Sequence, residues 1–484
     1  MTVTKRKSFG KEMKLQEITI DWFQTYTSLS ANEQHHVLLE SGRGGRYSII
    51  GLTPWAVIKG KNKHMTVSTS DDNEYFDGPL LSSLRDWLSS YQMEANPELP
   101  EFQGGLIGQF SYDLIREIEK IPEGSQDDLD TNDLCLLAFD EIYVIDHHQE
   151  TIWFIVIVPD ENILLSNKKI SRMILRWREA KKSNPSVDRN KEKESVLEKR
   201  ESSEVKRSFD EDAFKEAVEK TQQYIRSGDV FQVNLSVRES RSLYTEPIHI
   251  YQSLRRINPS PYMGYMHMPD IQYVSASPEL LVKVKGDDVN ARPIAGTRSR
   301  GNNEAEDQAL AKTLLNNEKE RAEHIMLVDL ERNDLGRVCQ YGSVEVDELM
   351  VIEKYSHVMH IVSNVKGKKN KELDALDVIA ATFPGGTITG APKIRTMQII
   401  EELEPVRRGA YTGSFGWIGF QGDMELNITI RTMVVKDGIG HVQAGAGIVI
   451  DSDPKAEYKE SLKKAKALWK ATELSEEEQR RNKV

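Results

Sequence analysis

Cysteine is nearly missing from this chain, with Cys135 and Cys339 the only two among 484 residues. Such scarcity excludes a disulfide framework and any cluster of thiolate metal ligands. Neither cysteine stands in a Gly-x-Cys-x-Gly elbow, so a nucleophilic thiol of that type is not expected, and both read as reduced, packed side chains. Surplus positive charge is missing too. A formal net charge of -12 leaves no excess of lysine and arginine to neutralise phosphates, which argues against nucleic acid as a partner. No apolar run is long enough to cross a bilayer, and the basic KRKSFGKEMK near the start is followed by no apolar signal core. The expectation is a soluble, cytoplasmic protein without a membrane partner. No internal repeat recurs, which sets aside solenoids and propellers.

The chain does carry 38% apolar residues, enough for a substantial interior, and its length exceeds that of one simple core. Residues 181–208 are charged, polar and poor in large apolar side chains, and read as a linker between an N-terminal region, 1–180, and a second region, 209–484. In the first region HHVLLES, RYSIIGL, LIGQFSYD, EIYVIDHH and TIWFIVIVP have the β-branched and aromatic enrichment of strands. The second opens with FDEDAFKEAVEKTQQYIRSGD, whose apolar spacing predicts a helix stopped by glycine.

The most informative feature is a repeated spacing, Glu320/Glu323 in KERAEH and Glu457/Glu460 in AEYKES. In a helix, residues three apart share a face, so both carboxylates of a pair point the same way. Four convergent carboxylates repel one another unless a hard, oxygen-ligated cation such as Mg2+ is present, and that cation would act as a Lewis acid. For a single pair among 76 acidic residues, a solvated helix face is the plainer explanation. In LNITIRT, a period of two places Leu426, Ile428 and Ile430 on one side and Asn427, Thr429 and Arg431 on the other. HVQAGAGIVID groups His441, Gln443, Gly445 and Gly447, where two glycines allow either close ligand approach or close sheet packing. FPGGTITGAPKIRTMQIIEEL predicts a helix over 394–403, with Pro392 in its first turn and Thr389 or Gly390 as cap, a site for a carboxylate. With Arg431 and Lys464, these features describe a pocket for a small polycarboxylate.

Six segments in order, PIAGTRSRG (293–301), AEHIMLVDLERNDLGRV (322–338), YSHVMHIVS (355–363), GTITGAPK (386–393), ITIRT (428–432) and QAGAGIV (443–449), resemble the chorismate-utilising enzymes. LLESGRGGRYSIIG (38–51) extends the likeness to the aminating branch, so that it covers nearly the whole chain outside the linker and tails. The resemblance implies an α+β fold of two large, mainly antiparallel sheets flanked by helices, with sheets shared between the two regions. It also implies Mg2+ held directly by Glu323 and Glu460 and through waters by Glu320 and Glu457. His360 would be the acid/base residue, with Glu279, Thr387 and Lys464 as further catalytic positions and His357 structural. Thr297, Tyr411, Arg431, Gly445, Gly447, Gly390 and Ala391 would line the chorismate site. A separate glutamine amidotransferase subunit would supply ammonia, because the chain shows no amidotransferase cysteine motif.

Two products remain open. Gln232–Ser236 and Phe383–Gly386 resemble the branch that aminates C4 and keeps the pyruvyl group, the aminodeoxychorismate synthases. Ala295 stands where many of that branch carry lysine, and it resembles instead the anthranilate synthases, which aminate C2 and release pyruvate. The alanine also speaks against isochorismate or salicylate synthesis, in which lysine activates water. Leu39, Glu40, Ser41, Pro259, Tyr262 and Met263 resemble a tryptophan pocket, implying tryptophan as a possible bound ligand. A non-catalytic scaffold that only binds an amidotransferase is the alternative of another class. The intact acidic set argues against it, since clustered acids are costly to keep.

Overall fold

The computed structural model describes residues 5–19, 21–42, 45–160, 162–180, 205–355 and 358–482. Most of the 181–208 segment lies outside them, as do His357 and the Arg43 and Gly44 of the SGRGGR stretch.

Two twelve-stranded sheets form the frame. The first runs, edge to edge, through Arg6–Lys14, Thr151–Pro159, Glu141–Asp146, Tyr47–Gly51, His36–Glu40, Tyr262–His267, Gln272–Ser277, Thr432–Lys436, Ile439–Ile448, Gln232–Ser242 and Lys206–Arg207. The two-residue strand Gly390–Ala391 adds to Gln232–Ser242. The second runs through Ile294–Ser299, Val358–Lys368, Asp288–Ala291, Leu280–Lys285, Met424–Ile428, Ser414–Gly419, Gly105–Phe110, Leu134–Phe139, Ala56–Lys61, His64–Thr69 and Asn73–Asp77, with Glu345–Lys354 also on Val358–Lys368. Every ladder between named strands is antiparallel, and both sheets take strands from both halves of the sequence.

The reason for the long apolar runs is visible in LCLLAF. Leu134, Leu136 and Ala138 join the core under the helices, whereas Cys135, Leu137 and Phe139 alternate into the core between the sheets. Both faces of such a strand are covered, so the usual polar alternation is lost. Val37, Met266, Tyr273, Phe415 and Trp417 complete the layer between the sheets. Outside the first sheet, the helices Trp22–Ser30, Ile163–Ala180, Pro247–Ile257 and Pro454–Asn482 close a second core around Tyr26, Trp177 and Tyr251. Cys135 is part of the packed interior, and burial pushes its thiol up to about 12.

The helix opening the second region spans Glu211–Arg226, and the glycine beyond it, Gly228, takes the left-handed conformation at φ +80. Two local expectations need correction. The strand read through LNITIRT ends at Ile428 in the second sheet, and the next strand, from Thr432, belongs to the first. Arg431 sits in the crossover with φ +49, so the period of two does not reach it. The helix expected over 394–403 spans Lys393–Leu403, but Pro392 is its N-cap, with extended backbone and no side-chain cap bond. Thr389 instead donates to the Gly385 carbonyl oxygen at 3.0 Å, and Gly390 is occupied in pairing with Val233. Among the described residues no helix is long and apolar enough to cross a membrane.

Candidate active site

Both Glu-x-x-Glu pairs lie in the first two turns of their helices, Glu318–Gly336 and Pro454–Asn482. Asn317 caps the first, accepting the Glu320 N–H at 3.0 Å, and Asp453 caps the second, accepting the Ala456 N–H at 2.7 Å. Carboxylates at that end of a helix are favoured by the free N–H groups and the dipole. Burial, and then the neighbouring Glu320, push Glu323 above the usual carboxylate range; burial and Glu460 do the same to Glu457. Lys319 and Lys464 act electrostatically on both Glu323 and Glu457, so the two helix starts face each other.

Each acid has a counter-group. Arg298 Nη1 donates to Glu320 Oε1 at 3.2 Å, and Gln232 Nε2 to Glu323 Oε1 at 3.2 Å. Lys464 Nζ reaches Glu460 at 3.1 Å and the Gly445 carbonyl oxygen at 2.9 Å. The Ser452 side chain favours the charged form of Glu457. Four carboxylates in this arrangement are the oxygen-only donor set that suits Mg2+. Among the described residues, no three His, Cys, Asp or Glu side chains are already gathered about one metal position.

A second group of residues adjoins the first through Gly296. His360, on Val358–Lys368, pairs across the ladder with Thr297, and the register shifts at Gly296, whose φ is +66. His360 Nδ1 lies 3.1 Å from both Thr297 Oγ1 and the Gly296 carbonyl oxygen. Because a carbonyl only accepts, Nδ1 is assigned the proton and Nε2 is left free. Burial lowers the His360 pKa, which keeps the ring neutral near neutral pH. A Cβ at Gly296 would stand 2.8 Å from Glu320 Oε2, so this glycine lets the histidine strand and the acidic helix meet.

Glu279 is buried, and desolvation pushes its carboxyl up to about 7 against the opposing pull of Thr387 and Arg431. Thr387 is near enough to favour the anion, yet neither its hydroxyl nor Glu279 Oε1 makes a hydrogen bond of ordinary geometry. Burial lowers the Arg431 pKa, Glu279 opposes that shift, and the Arg431 side chain forms no hydrogen bond or ion pair with the described residues. Arg431 thus acts electrostatically on both Glu279 and His360, bringing together a carboxyl of raised pKa, a neutral imidazole and an uncommitted guanidinium.

The glycine-rich strand resolves in favour of close packing. A Cβ on Gly445 would lie 2.6 Å from Asn234 Oδ1 and 2.9 Å from the Tyr411 hydroxyl oxygen, and one on Gly447 would lie 2.4 Å from Gln232 Nε2. These glycines let Asn234, Gln232 and the buried Tyr411 cross the strand, and Gln232 thereby reaches Glu323. Thr432–Lys436 pairs with Ile439–Ile448 only as far as Val442, which leaves the Gly445 carbonyl to Lys464. Gly390 and Ala391 pair with Val233 and Gln232, Ala391 also accepting the Phe231 N–H at 2.8 Å. The anion site expected at this helix start is altered as well, since Lys393 turns inward to an ion pair with Asp334.

The residues of the tryptophan-type set are elsewhere, around a cavity of about 580 Å3 between the sheets. Leu39, Glu40, Ser41, Tyr262 and Met263 line it; Pro259 does not, and Pro261 takes its place. Glu40 is committed, accepting from Tyr251 Oη at 2.6 Å and from Arg255 at 2.6 and 2.7 Å. Ser41 Oγ donates to the Tyr47 carbonyl oxygen at 2.6 Å.

Sequence reasoning missed Gln232, Asn234 and Arg298 as site residues. The alternation Gln232, Asn234, Ser236 on one strand face was the available signal for the first two; nothing local marked Arg298. Glu331 was also missed. Burial, and then the neighbouring Asp334, raise its pKa, and its Oε2 has no hydrogen-bond partner.

The chain is 52% identical over 476 residues to aminodeoxychorismate synthase component 1 of Bacillus subtilis (strain 168), covering 98% of this chain and 99% of the relative. It is 43% identical to anthranilate synthase component 1 of Acetivibrio thermocellus over 90% of each chain. The crystal structure of anthranilate synthase component I from Streptococcus pneumoniae TIGR4 superposes with a TM-score of 0.75 at 37% identity, covering 88% of this chain and 92% of that one. Residues 34–470 match the family described as chorismate binding enzyme, and the chain belongs to that family.

Proposed function

We propose that the chain is component 1 of an aminodeoxychorismate synthase, aminating chorismate at C4 to give 4-amino-4-deoxychorismate. The observation that carries this reading is the grouping of Glu279, His360 and Arg431 beside the two glutamate pairs, in a chain 52% identical along its length to a relative of that name. Glu323 and Glu460 would hold Mg2+ directly, with Glu320 and Glu457 holding its waters. Bound there, the ion supplies positive charge to the ring carboxylate of the substrate.

Arg431 and Lys464 supply cationic donors for the substrate carboxylates, while Thr297, Tyr411, Gly445, Gly447, Gly390 and Ala391 shape the walls. Glu279, protonated up to about pH 7, gives its proton to the C4 hydroxyl as the C–O bond breaks and water leaves. Thr387 steadies the carboxylate that results. Neutral His360 accepts at Nε2 the proton that ammonia loses when its nitrogen bonds to carbon. Of the acid/base role expected of His360 this keeps the base half and gives the acid half to Glu279, because burial disfavours the charged form of His360 and favours the protonated form of Glu279. A glutamine amidotransferase subunit in the cytoplasm supplies the ammonia. The 1–180 and 209–484 regions together line the inter-sheet cavity, the tryptophan-type pocket, and 209–484 contributes the catalytic residues.

Ala295, buried on the strand that carries Thr297, favours anthranilate synthase as the second reading. Incubation with chorismate, Mg2+ and ammonium, followed by mass spectrometry with and without aminodeoxychorismate lyase, separates the two. Lyase-dependent 4-aminobenzoate supports C4 amination; direct anthranilate and pyruvate overturn it.

A further inference from the structure

We infer that Arg298 competes with the divalent cation for Glu320 and so couples cation binding to substrate binding; this rests on reading the site as a Mg2+-dependent chorismate centre. Arg298 follows Thr297 on its strand, and one guanidinium nitrogen bridges two acceptors, the Thr297 carbonyl oxygen at 2.9 Å and Glu320 Oε1 at 3.2 Å. The Thr297 hydroxyl in turn lies 3.1 Å from His360 Nδ1. One arginine therefore ties the acidic helix to its own strand, Ile294–Ser299, whose Thr297 meets His360 on the neighbouring strand.

The pair is partly exposed, with side-chain exposures of 32% for Arg298 and 21% for Glu320. Ion pairs of that exposure are weak, and a doubly charged ion competes with them on favourable terms. When Glu320 turns to the cation, Arg298 keeps only a neutral carbonyl partner, and its charge becomes available beside Thr297 and His360. A dianionic substrate binding there gains from that charge. By linkage, whatever the cation does for the substrate, the substrate does equally for the cation. Lys464 repeats the arrangement on the other helix through its pair with Glu460 at 3.1 Å, so Arg298 is one of two such counter-ions.

Isothermal titration of Mg2+ into the full chain tests this, with and without chorismate and with no ammonia source, for wild type, Arg298→Met and Arg298→Lys. Arg298→Met is expected to bind Mg2+ alone about fivefold tighter and to lose the part of the chorismate enhancement that passes through Glu320, while Arg298→Lys behaves like wild type. Unfolding curves confirm that both variants fold, and the lysine variant keeps the test decisive if the methionine one does not: its Mg2+ affinity must stay within twofold of wild type. Mg2+ binding to Arg298→Met that is no tighter than to wild type overturns the competition. A chorismate enhancement in wild type that persists undiminished in Arg298→Met overturns the coupling. No chorismate effect in wild type would count against the substrate reading, and the Mg2+-only comparison would still decide whether Arg298 competes.

Discussion

Between the sheets, Arg46 binds Asp146 at 2.9 Å, Lys283 binds Glu101 at 2.7 Å and Glu425 at 2.9 Å, and Glu40 is gripped by Arg255 and Tyr251. Around Glu279, by contrast, Arg431 is uncommitted, and Glu279 Oε1, Thr387 Oγ1 and Asn234 Oδ1 lack hydrogen-bond partners. Both regions bury charge in a low-dielectric interior, and they answer its cost differently. In the cavity the buried charges are paired with fixed partners, Glu98 at its exposed rim excepted, and those pairs define its shape. In the candidate active site several polar atoms are held by the backbone and left unsatisfied, as expected where a ligand completes the set.

The largest expected effect lies on the unsatisfied side. Glu323→Gln or Glu460→Gln should reduce Mg2+-dependent turnover by about 10^3-fold or more, the equivalent of several kcal/mol of charge stabilisation. Their melting temperatures should stay close to wild type, and near-normal rates would remove the metal assignment. On the satisfied side, Glu40→Ala should destabilise the fold by about 3–5 kcal/mol, because it strands Arg255 beside an apolar core. Chemical denaturation measures that loss, and a change below about 1 kcal/mol would mean that the cavity does not depend on its pairs.

Glu279→Gln should sharpen the contrast through pH. The folded-state pKa of Glu279 is about 7 against an ordinary 4.5, so the folded protein holds this proton more tightly than the unfolded chain does. Its contribution is fully present below pH 4.5 and is lost as pH rises through 7. The glutamine variant should therefore gain up to about 3 kcal/mol over wild type at pH 8, gain nothing at pH 4, and lose activity at both. Equal stability of the two proteins across pH 4–8 would contradict the buried, protonated carboxyl. The smallest effect belongs to the cavity rim: Lys285→Met, which breaks an exposed pair with Glu101, should change stability by less than about 0.5 kcal/mol. A larger loss, read by the same denaturation, would mean that the rim is held more firmly than its exposure implies.

The reading of the sequence succeeded where a property repeats within a few residues. EIYVIDHH, TIWFIVIVP and the Glu211–Arg226 helix all form as their local patterns indicate. It failed where the chain leaves a pattern. Arg431 was placed by extending a strand that in fact ends at Ile428, and the cap of the Lys393–Leu403 helix was given to Thr389 or Gly390, both engaged elsewhere. Pro259 was placed in the cavity by its neighbours in NPSPYM, although Pro261 supplies the wall.

Helical phase and strand alternation are set by backbone geometry over one or two turns, so the sequence alone determined that Glu320 shares a face with Glu323 and Glu457 with Glu460. The β-branched and aromatic runs likewise marked segments such as TIWFIVIVP as strands. Only the tertiary structure decided that the two helix starts face each other, that Gln232, Arg298 and Lys464 reach the acids, and that Arg431 turns from one sheet into the other. Those contacts join segments far apart in the chain. Their geometry follows from sheet register and layer packing, which no local period encodes.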